Sequence, residues 1–385
     1  MARKQTTDAP HAIPAASADP VASTGAAAGG SGVRSVRIEE VARVACVSPI
    51  TVSRTLNKPD TVSEATRNAV WAAIEEVGYI PNHLAGGLAS SKSRTVGLVI
   101  PHITNSTFAD RVRGMTEVLR DEGFHLLLGI SDYSPQVEFQ HVMAFLGQRV
   151  SGLSLTGTTH DERTRSMLAR AGIPVVETST TTGTPIDMMV GYSNEAACYA
   201  MVEHLARCGY RKIGLISTSY LNNDRTVARR AGYQQAVKDL KLAQDPGLMI
   251  TSEICLAAGA KALVDLLAAQ PDVDAIFCTN DVIAVGCLLE AARRGIRVPD
   301  DIGIAGFDDI DLAQEFVPAL TTVRLRRYEV GSVSAHLLVQ RIRGETPAEK
   351  IVDLGFEIVA RASTRRAQPT HQQRDSGHVS SRAAR

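Results

Sequence analysis

The chain has no net charge, since 41 lysines and arginines face 41 aspartates and glutamates over 385 residues. That balance excludes a uniformly basic protein but leaves room for a local basic module. No apolar run approaches the ~20 residues needed to cross a bilayer, so a membrane protein is not expected. The first thirty residues are Ala-, Ser-, Thr-, Gly- and Pro-rich, with no continuous hydrophobic segment. A secretory leader is therefore not expected, and a cytoplasmic location is. Cysteines occur at positions 46, 198, 208, 255, 278 and 287, without a Cys-x-x-Cys pair. They read as reduced, separately placed thiols, neither a disulfide frame nor a zinc site. Gly-x-Ser-x-Gly, His-Glu-x-x-His and a phosphate-cradling glycine loop are also missing, so no catalytic residue and no cofactor is expected. Asp308-Asp309-Ile310-Asp311 lacks the glycine and distal glutamate of an EF-hand and reads as solvated capping, so no metal is expected.

What is present is globular. Hydrophobic residues make up 44% and charged residues 21%, and the length suits two or three folding units. Residues 1–34 show no apolar periodicity and read as a disordered N-terminal extension. Residues 362–385 read as a disordered basic tail; from Arg361 onward six arginines stand against one aspartate. That tail is a solvated extension, or one that adds a nonspecific grip on polyanions. No repeat of 20–50 residues is visible.

Residues 35–81 carry the densest local signals. Ile38, Val41, Ala42 and Ala45 recur at i, i+3, i+4 and i+7, the pattern of one apolar helical face. Cys46-Val47 makes a tight turn. Ser48 then offers an N-cap hydroxyl and Pro49 occupies the first helical position, where its missing N–H costs nothing. This second helix runs to Asn57 and stops at Lys58-Pro59. Ser63 caps a third, whose Val70, Ala73, Ile74 and Val77 face inward before Gly78 ends it. Two short helices joined tightly, with a third as buttress, form a helix-turn-helix, which sets its second helix in the major groove. On that helix Val52 and Leu56 are expected in the core. Ile50, Thr51, Ser53 and Arg54 lie on the other faces, where hydroxyls donate to phosphate and the arginine fork pairs with guanine. Spacing alone leaves a plain helical bundle with solvent-facing Ser and Thr equally open.

The run Val47-Ser48-x-x-Thr51-Val52-Ser53-Arg54-x-Leu56-Asn57, followed by Val62-Ser63-x-x-Thr66-Arg67 and Gly78-Tyr79-Ile80-Pro81-Asn82, resembles the headpiece of the lactose-repressor (LacI) family of bacterial transcription regulators. One departure is Cys46, where the family usually has glycine; if that turn needs positive φ, the side chain costs about 1 kcal/mol. The resemblance makes 82–94 a hinge or linker that becomes helical on operator DNA, with Leu88 wedged into the minor groove and Ala85 one turn before it. Gly86 and Gly87 depart from that pattern, since each costs a helix up to ~1 kcal/mol. Without the headpiece, the same stretch reads as a Gly/Ser linker. DNA contact is thus expected from Ser48, Pro49, Ile50, Thr51, Ser53, Arg54, Asn57, Tyr79, Asn82, Ala85 and Leu88.

From Thr95 strands alternate with amphipathic stretches. Apolar runs at 95–100, 125–130, 152–157, 174–179 and 188–193 form one series; 212–217, 247–252, 275–279 and 302–307 form a second. Such alternation argues parallel sheets with helices on both faces, here two α/β lobes with a cleft between strand ends. Residues 95–361 resemble the periplasmic-binding-protein-like effector and dimerisation domain of the same family. By that likeness 95–193 and 194–322 form most of the two lobes, helix 328–343 returns to the first, and strand 351–360 to the second. Pro101-His102-Ile103-Thr104-Asn105-x-x-Phe108-Ala109, Gly191-Tyr192-x-Asn194 and Phe277-Cys278-Thr279-Asn280-Asp281 are most similar to gluconate-type repressors. Candidates for the effector site at the strand ends are Asn105, Phe108, Glu177, Arg229, Asn280 and Asp308, with Arg225 or Arg230 as the alternative to Arg229 for the acid contact. Arg229 matches the family's effector-contacting arginine, whose fork chelates a carboxylate. Asn280-Asp281 and Asp309 or Asp311 are equally readable as helix caps.

The expected function is a homodimeric, sequence-specific repressor of double-stranded operator DNA, controlled by a small effector of the sugar-acid type. A neutral sugar or a purine as corepressor is the alternative. A freestanding solute-binding protein is a third reading, but it does not account for residues 36–90. No sustained leucine heptad marks the tail, so a tetramer coil is not expected.

Overall fold

The computed structural model describes residues 36–80, 93–103, 106–219 and 221–365. The chain divides near Ala85 into a helical N-terminal unit and an α/β body.

In the N-terminal unit, α1 (Ile38–Val44), α2 (Pro49–Asn57) and α3 (Glu64–Val77) pack around Val41, Ala42, Val52, Val70, Ala73 and Ile74. Ser48 caps α2 by accepting from the Thr51 N–H at 3.1 Å, and Ser63 caps α3 by accepting from the Thr66 N–H at 3.3 Å. Gly78 closes α3 with φ +66°, its N–H donating to the Ile74 carbonyl. The turn between α1 and α2 places Cys46 at φ +54°, in the left-handed region that glycine occupies without cost. Leu56, expected in the core, is only half-buried, and Thr55 is buried in its place. The Thr55 hydroxyl donates to the Thr51 carbonyl at 2.9 Å, so the residue enters the core with its polar atom satisfied.

The body contains two parallel sheets. The first sheet takes β1 (Thr95–Ile100), β2 (His125–Ile130), β3 (Gly152–Thr156), β4 (Val175–Thr178), β5 (Met188–Gly191) and the late β11 (Ile351–Asp353), in the order β11-β5-β4-β3-β1-β2. The second sheet takes β6 (Ile213–Ser217), β7 (Met249–Thr251), β8 (Ala275–Cys278) and β9 (Gly303–Ala305), in the order β7-β6-β8-β9. β3, β4, β5, β6 and β8 are buried almost throughout, as expected of strands covered on both faces, whereas the edge strands β2 and β7 are partly open. Between the strands run α4 (Ser106–Asp121), α5 (Pro135–Gly147), α6 (Glu162–Ala171), α7 (Asn194–Arg207), α8 (Asp224–Asp239), α9 (Leu256–Ala269), α10 (Asp281–Arg293) and the single turn α11 (Leu312–Glu315).

The chain then forms β10 (Thr322–Leu325) and α12 (Arg327–Arg343). α12 belongs to the first lobe, with Leu337, Leu338, Val339 and Ile342 in one core with Val96, Leu98, Met115 and Val190. Its contact with α4 is very close. A Cβ on Gly331 would stand 2.1 Å from the Arg111 carbonyl, and one on Gly114 would stand 2.3 Å from the Tyr328 carbonyl. Tyr328 Oη adds a hydrogen bond to Glu117 at 2.6 Å.

The expected single strand over 351–360 is two strands in two different sheets. β11 extends the first sheet beside β5 in parallel, and β12 (Phe356–Val359) pairs antiparallel with β10. Gly355, at φ +68° with its N–H donated to Asp353 Oδ1 at 2.8 Å, makes the break. The cysteines also correct an expectation. Cys278 and Cys287 are not separately placed: their sulfurs lie 3.7 Å apart in the core, both as thiols. Among the described residues no helix is long and apolar enough to cross a membrane.

Candidate functional site

On α2 the outward residues fall on one face. Pro49, Ile50, Arg54 and Asn57 are exposed, Ile50 at 65%, and Ser53 is half-exposed beside them. The Arg54 side chain makes no hydrogen bond to another described residue, whereas the hydroxyls are partly committed. Ser48 Oγ and Thr51 Oγ1 share a hydrogen bond at 2.9 Å, and Asn57 Nδ2 donates to the Ser53 carbonyl at 2.9 Å. Tyr79 is half-buried against the headpiece core. Among the described residues the helix therefore presents a pre-shaped rim on which the Arg54 guanidinium fork has no partner, the donor geometry that reads guanine. Asn82, Ala85 and Leu88 lie outside the described residues.

In the body, a narrow cavity of about 40 Å³ opens at the carboxyl ends of the strands of both sheets. Both strand orders reverse there, at β3-β1-β2 and at β7-β6-β8, the place where open α/β sheets leave a crevice. Phe108 and Arg111 of α4 and Ser179 after β4 come from the first lobe. Arg225 and Arg229 of α8, Asn280 after β8 and Asp308 after β9 come from the second. Phe108, Arg225, Arg229, Asn280 and Asp308 are thus brought together as the sequence reading places them. Asn105 lies outside the described residues.

Two expectations are corrected. Glu177 does not line the cavity. It is fully buried on the opposite side of β4, where its Oε2 accepts from the Ile186 N–H at 2.5 Å and its Oε1 lies 3.3 Å from His160 Nε2. The reason is Ser179, whose φ of +68° breaks strand alternation so that Thr178 and Ser179 both turn to Arg111. Arg230 is likewise outside the cavity lining and donates to Ser217 Oγ at 3.4 Å.

The Glu177 side holds a charged cluster of its own. His160 Nδ1 lies 2.7 Å from Glu138 Oε1, and Arg165 stands 3.7 Å from Glu177. Burial works against the His160 cation, but hydrogen bonds and charge from Glu138 and Glu177 win and hold its pKa up at about 9. The loop before it is fastened across the lobes, since Asp224 Oδ2 accepts from the Thr158 N–H and hydroxyl at 2.8 and 2.9 Å. Gly157 before it sits at φ +81°, a left-handed conformation that favours glycine.

The second-lobe wall is built around acids. Asn280 uses both ends of its amide, accepting from the Val282 N–H at 3.0 Å as the cap of α10 and donating to Asp308 Oδ2 at 2.6 Å. Asp308 and Asp309 both adopt positive φ, +120° and +55°, a strain of the sort that clusters at functional sites. Burial pushes the Asp308 carboxyl up to about 6 against the pull of Arg229 and Arg327. Asp281 behind it is pushed to about 7 by burial and by Asp308 as a like charge. Arg229 donates through Nε to Asn194 Oδ1 at 2.9 Å and through Nη1 to the Thr279 carbonyl at 2.7 Å, and stacks 3.7 Å over Phe307. Arg225 is paired with Asp224 at 2.9 Å. Asp311 precedes α11 without a capping hydrogen bond, and Asp309 instead pairs with Arg324 and Arg361, each at 2.7 Å. Sequence reasoning missed Arg111, whose only sign was its place one turn after Phe108 on the face that enters the cleft.

Comparison with known proteins agrees with both halves of this geometry. Residues 37–82 match the model described as "Bacterial regulatory proteins, lacI family", and 202–364 match "Periplasmic binding protein-like domain". The HTH-type transcriptional regulator GntR of Escherichia coli K12 is 36% identical over 321 residues, covering 83% of this chain and 96% of that protein. GntR of Pseudomonas aeruginosa is also 36% identical, over 85% of this chain and 95% of its own. Among solved structures, a LacI-family transcriptional regulator from Silicibacter pomeroyi aligns with a TM-score of 0.80 at 33% identity, over 86% of this chain and all of that one. From these identities and this coverage, the chain is a DNA-binding transcriptional repressor that belongs to the lacI family of bacterial regulatory proteins.

Proposed function

We propose that the protein works as a homodimer that binds operator DNA through α2 and the segment after it. A small polyhydroxylated acid of the gluconate class, entering the cleft, releases that DNA. Two headpieces would meet half-sites roughly 34–36 Å apart on a near-palindrome. The effector lowers operator affinity by favouring a different setting of the dimer, with coupling typically about 1–3 kcal/mol.

The observation that carries the effector class is the charge and hydrogen-bonding character of the cleft. Three arginines and one carboxylate line it, among hydroxyls and two carboxamides. Hydroxyls of a sugar acid find both donors and acceptors there, and a negative charge finds the surplus of cations. The name of the GntR relatives points the same way. A neutral sugar would leave the surplus unmatched.

The test is a gel shift of the full-length protein on its own promoter fragment at fixed salt, titrated with gluconate, ribose and a purine. Release by gluconate alone is the expected result. Tightening by ribose or the purine establishes the corepressor reading instead, and no shift at low salt overturns the DNA-binding reading.

A further inference from the structure

Among the described residues, Arg111 is the arginine of the cleft that has no acid beside it. Its side chain is 3% exposed, and among the described residues no carboxylate pairs with it. Arg225 has Asp224 beside it, and Arg229 lies in the field of Asp308. Arg111 has neutral hydroxyls instead: Nη1 donates to Thr156 Oγ1 at 3.1 Å and Thr178 Oγ1 at 2.9 Å, and Nη2 donates to Ser179 Oγ. Thr156 and Thr178 spend their own hydrogens on the carbonyls of Val99 and Leu155, at 3.0 and 2.8 Å. Their lone pairs are thereby fixed toward the guanidinium, which is a seat built for a cation. The Phe108 ring supports the same guanidinium at 4.9 Å, and the close approach of Gly331 to the Arg111 carbonyl holds the backbone beneath it.

This seat is incomplete in one direction. A guanidinium has five N–H donors, and three are used. Among the described residues Nε is buried with no hydrogen-bond partner, and Nη2 carries a second N–H, so the Nε–Nη2 edge has the spacing that matches the two oxygens of a carboxylate. Burial, with Arg225 as a nearby like charge, lowers the Arg111 pKa to about 10. A buried charge of this kind costs stability unless a counter-charge arrives.

We propose that Arg111 is the anion receptor of the cleft. It takes the effector's carboxylate or phosphate on its Nε–Nη2 edge, while Asp308 and Asn280 on the opposite wall take its hydroxyls. The proposal rests on the cleft being the effector site and goes further, since it assigns the acid end to the first lobe rather than to Arg229. A ligand held this way spans both lobes, and its charge is what separates it from a neutral sugar.

The test uses full-length protein, thermal unfolding and calorimetry, with gluconate, neutral sorbitol and glucose 6-phosphate as probes. Wild type is expected to melt higher with gluconate or with glucose 6-phosphate, whichever anion the cleft takes, and to be unmoved by sorbitol. Arg111→Met is expected to lose at least 100-fold in affinity for that anion while melting, without ligand, at or above the wild-type temperature. Arg111→Lys keeps the charge without the fork and should fall between the two. If Arg111→Met does not fold, loss of the anion response in Arg111→Lys supports the proposal and a full wild-type response overturns it. Binding of the anion by Arg111→Met within threefold of wild type also overturns it, as does wild type taking sorbitol equally well. Arg111-dependent stabilisation by glucose 6-phosphate but not gluconate keeps the receptor and removes the gluconate reading. If neither anion stabilises the wild type, the receptor itself is refuted.

Discussion

The headpiece and the cleft meet their partners in opposite ways. The outward face of α2 is exposed and its Arg54 fork has no partner among the described residues, so its chemistry is on display before DNA arrives. The cleft buries its charges, ties most of them to acids or carbonyls, and leaves Arg111 with hydroxyls alone. An exposed cation costs little to maintain; a buried one without a partner trades stability for selectivity. The first region depends on local geometry within a helix, whereas the second depends on side chains 45 to 68 residues apart in sequence.

Breaking that contrast on the headpiece side should produce the largest effect. Arg54→Ala is expected to weaken specific operator binding by roughly 10- to 100-fold, about 1–3 kcal/mol, with its folding unchanged. A salt-controlled gel shift with a scrambled competitor measures it, and equal losses on both DNAs would make Arg54 a phosphate contact.

On the cleft side, Gly331→Ala drives a methyl into the Arg111 carbonyl, where the Cβ would stand 2.1 Å away. Such overpacking typically costs about 1–3 kcal/mol. Urea unfolding should show the body destabilised, with effector binding weakened as α4 shifts. A variant as stable as wild type would show that α12 can slide.

Acidity sharpens the comparison further, because the buried groups titrate within the working range. The His160 pKa is raised to about 9, so its contribution to stability is full below pH 6.5 and is lost as pH climbs through 9. Asp281 is raised to about 7, so ionising it on the way up from about pH 4 to 7 also costs stability. Both effects share a sign, and the urea midpoint of the body should fall between pH 6 and 9. His160→Gln, facing Glu138 and Glu177, should flatten the upper part of that fall. An unchanged slope would mean that His160 is neutral in the fold.

The smallest effect belongs to the headpiece turn. Cys46→Gly removes the strain of a side chain at φ +54°, partly offset by the freer unfolded chain. A net gain of up to ~1 kcal/mol in headpiece stability is expected. Differential scanning calorimetry resolves a gain of that size, and a loss would show that the Cys46 side chain contributes a contact of its own.

Legibility followed the same division. Ser48-Pro49, Ser63 and Gly78 are caps whose meaning is complete within four residues, so the three helices were readable to within a residue or two. The nine strands of the two series were readable from their apolar runs because parallel strands are buried on both faces. Gly355 was not recognised as a break, so one expected strand became two. Glu177 was placed on the wrong side of β4, since the positive φ at Ser179 that turns the neighbouring hydroxyls inward has no glycine to announce it. Arg111 was invisible for a related reason: an arginine on an amphipathic helix reads as surface until distant strands bring Thr156, Thr178 and Ser179 around it.

The return of α12 and β11 to the first lobe has a consequence for biosynthesis. All four strands of the second sheet have been synthesised by residue 305, but the first sheet still awaits the edge strand that ends at Asp353. Until then the face of α4 that carries Gly114 has no covering helix, and β5 has an open edge. The lobe that emerges first is therefore completed last, and a released chain ending near residue 320 would contain every strand of the second sheet but not the last strand of the first.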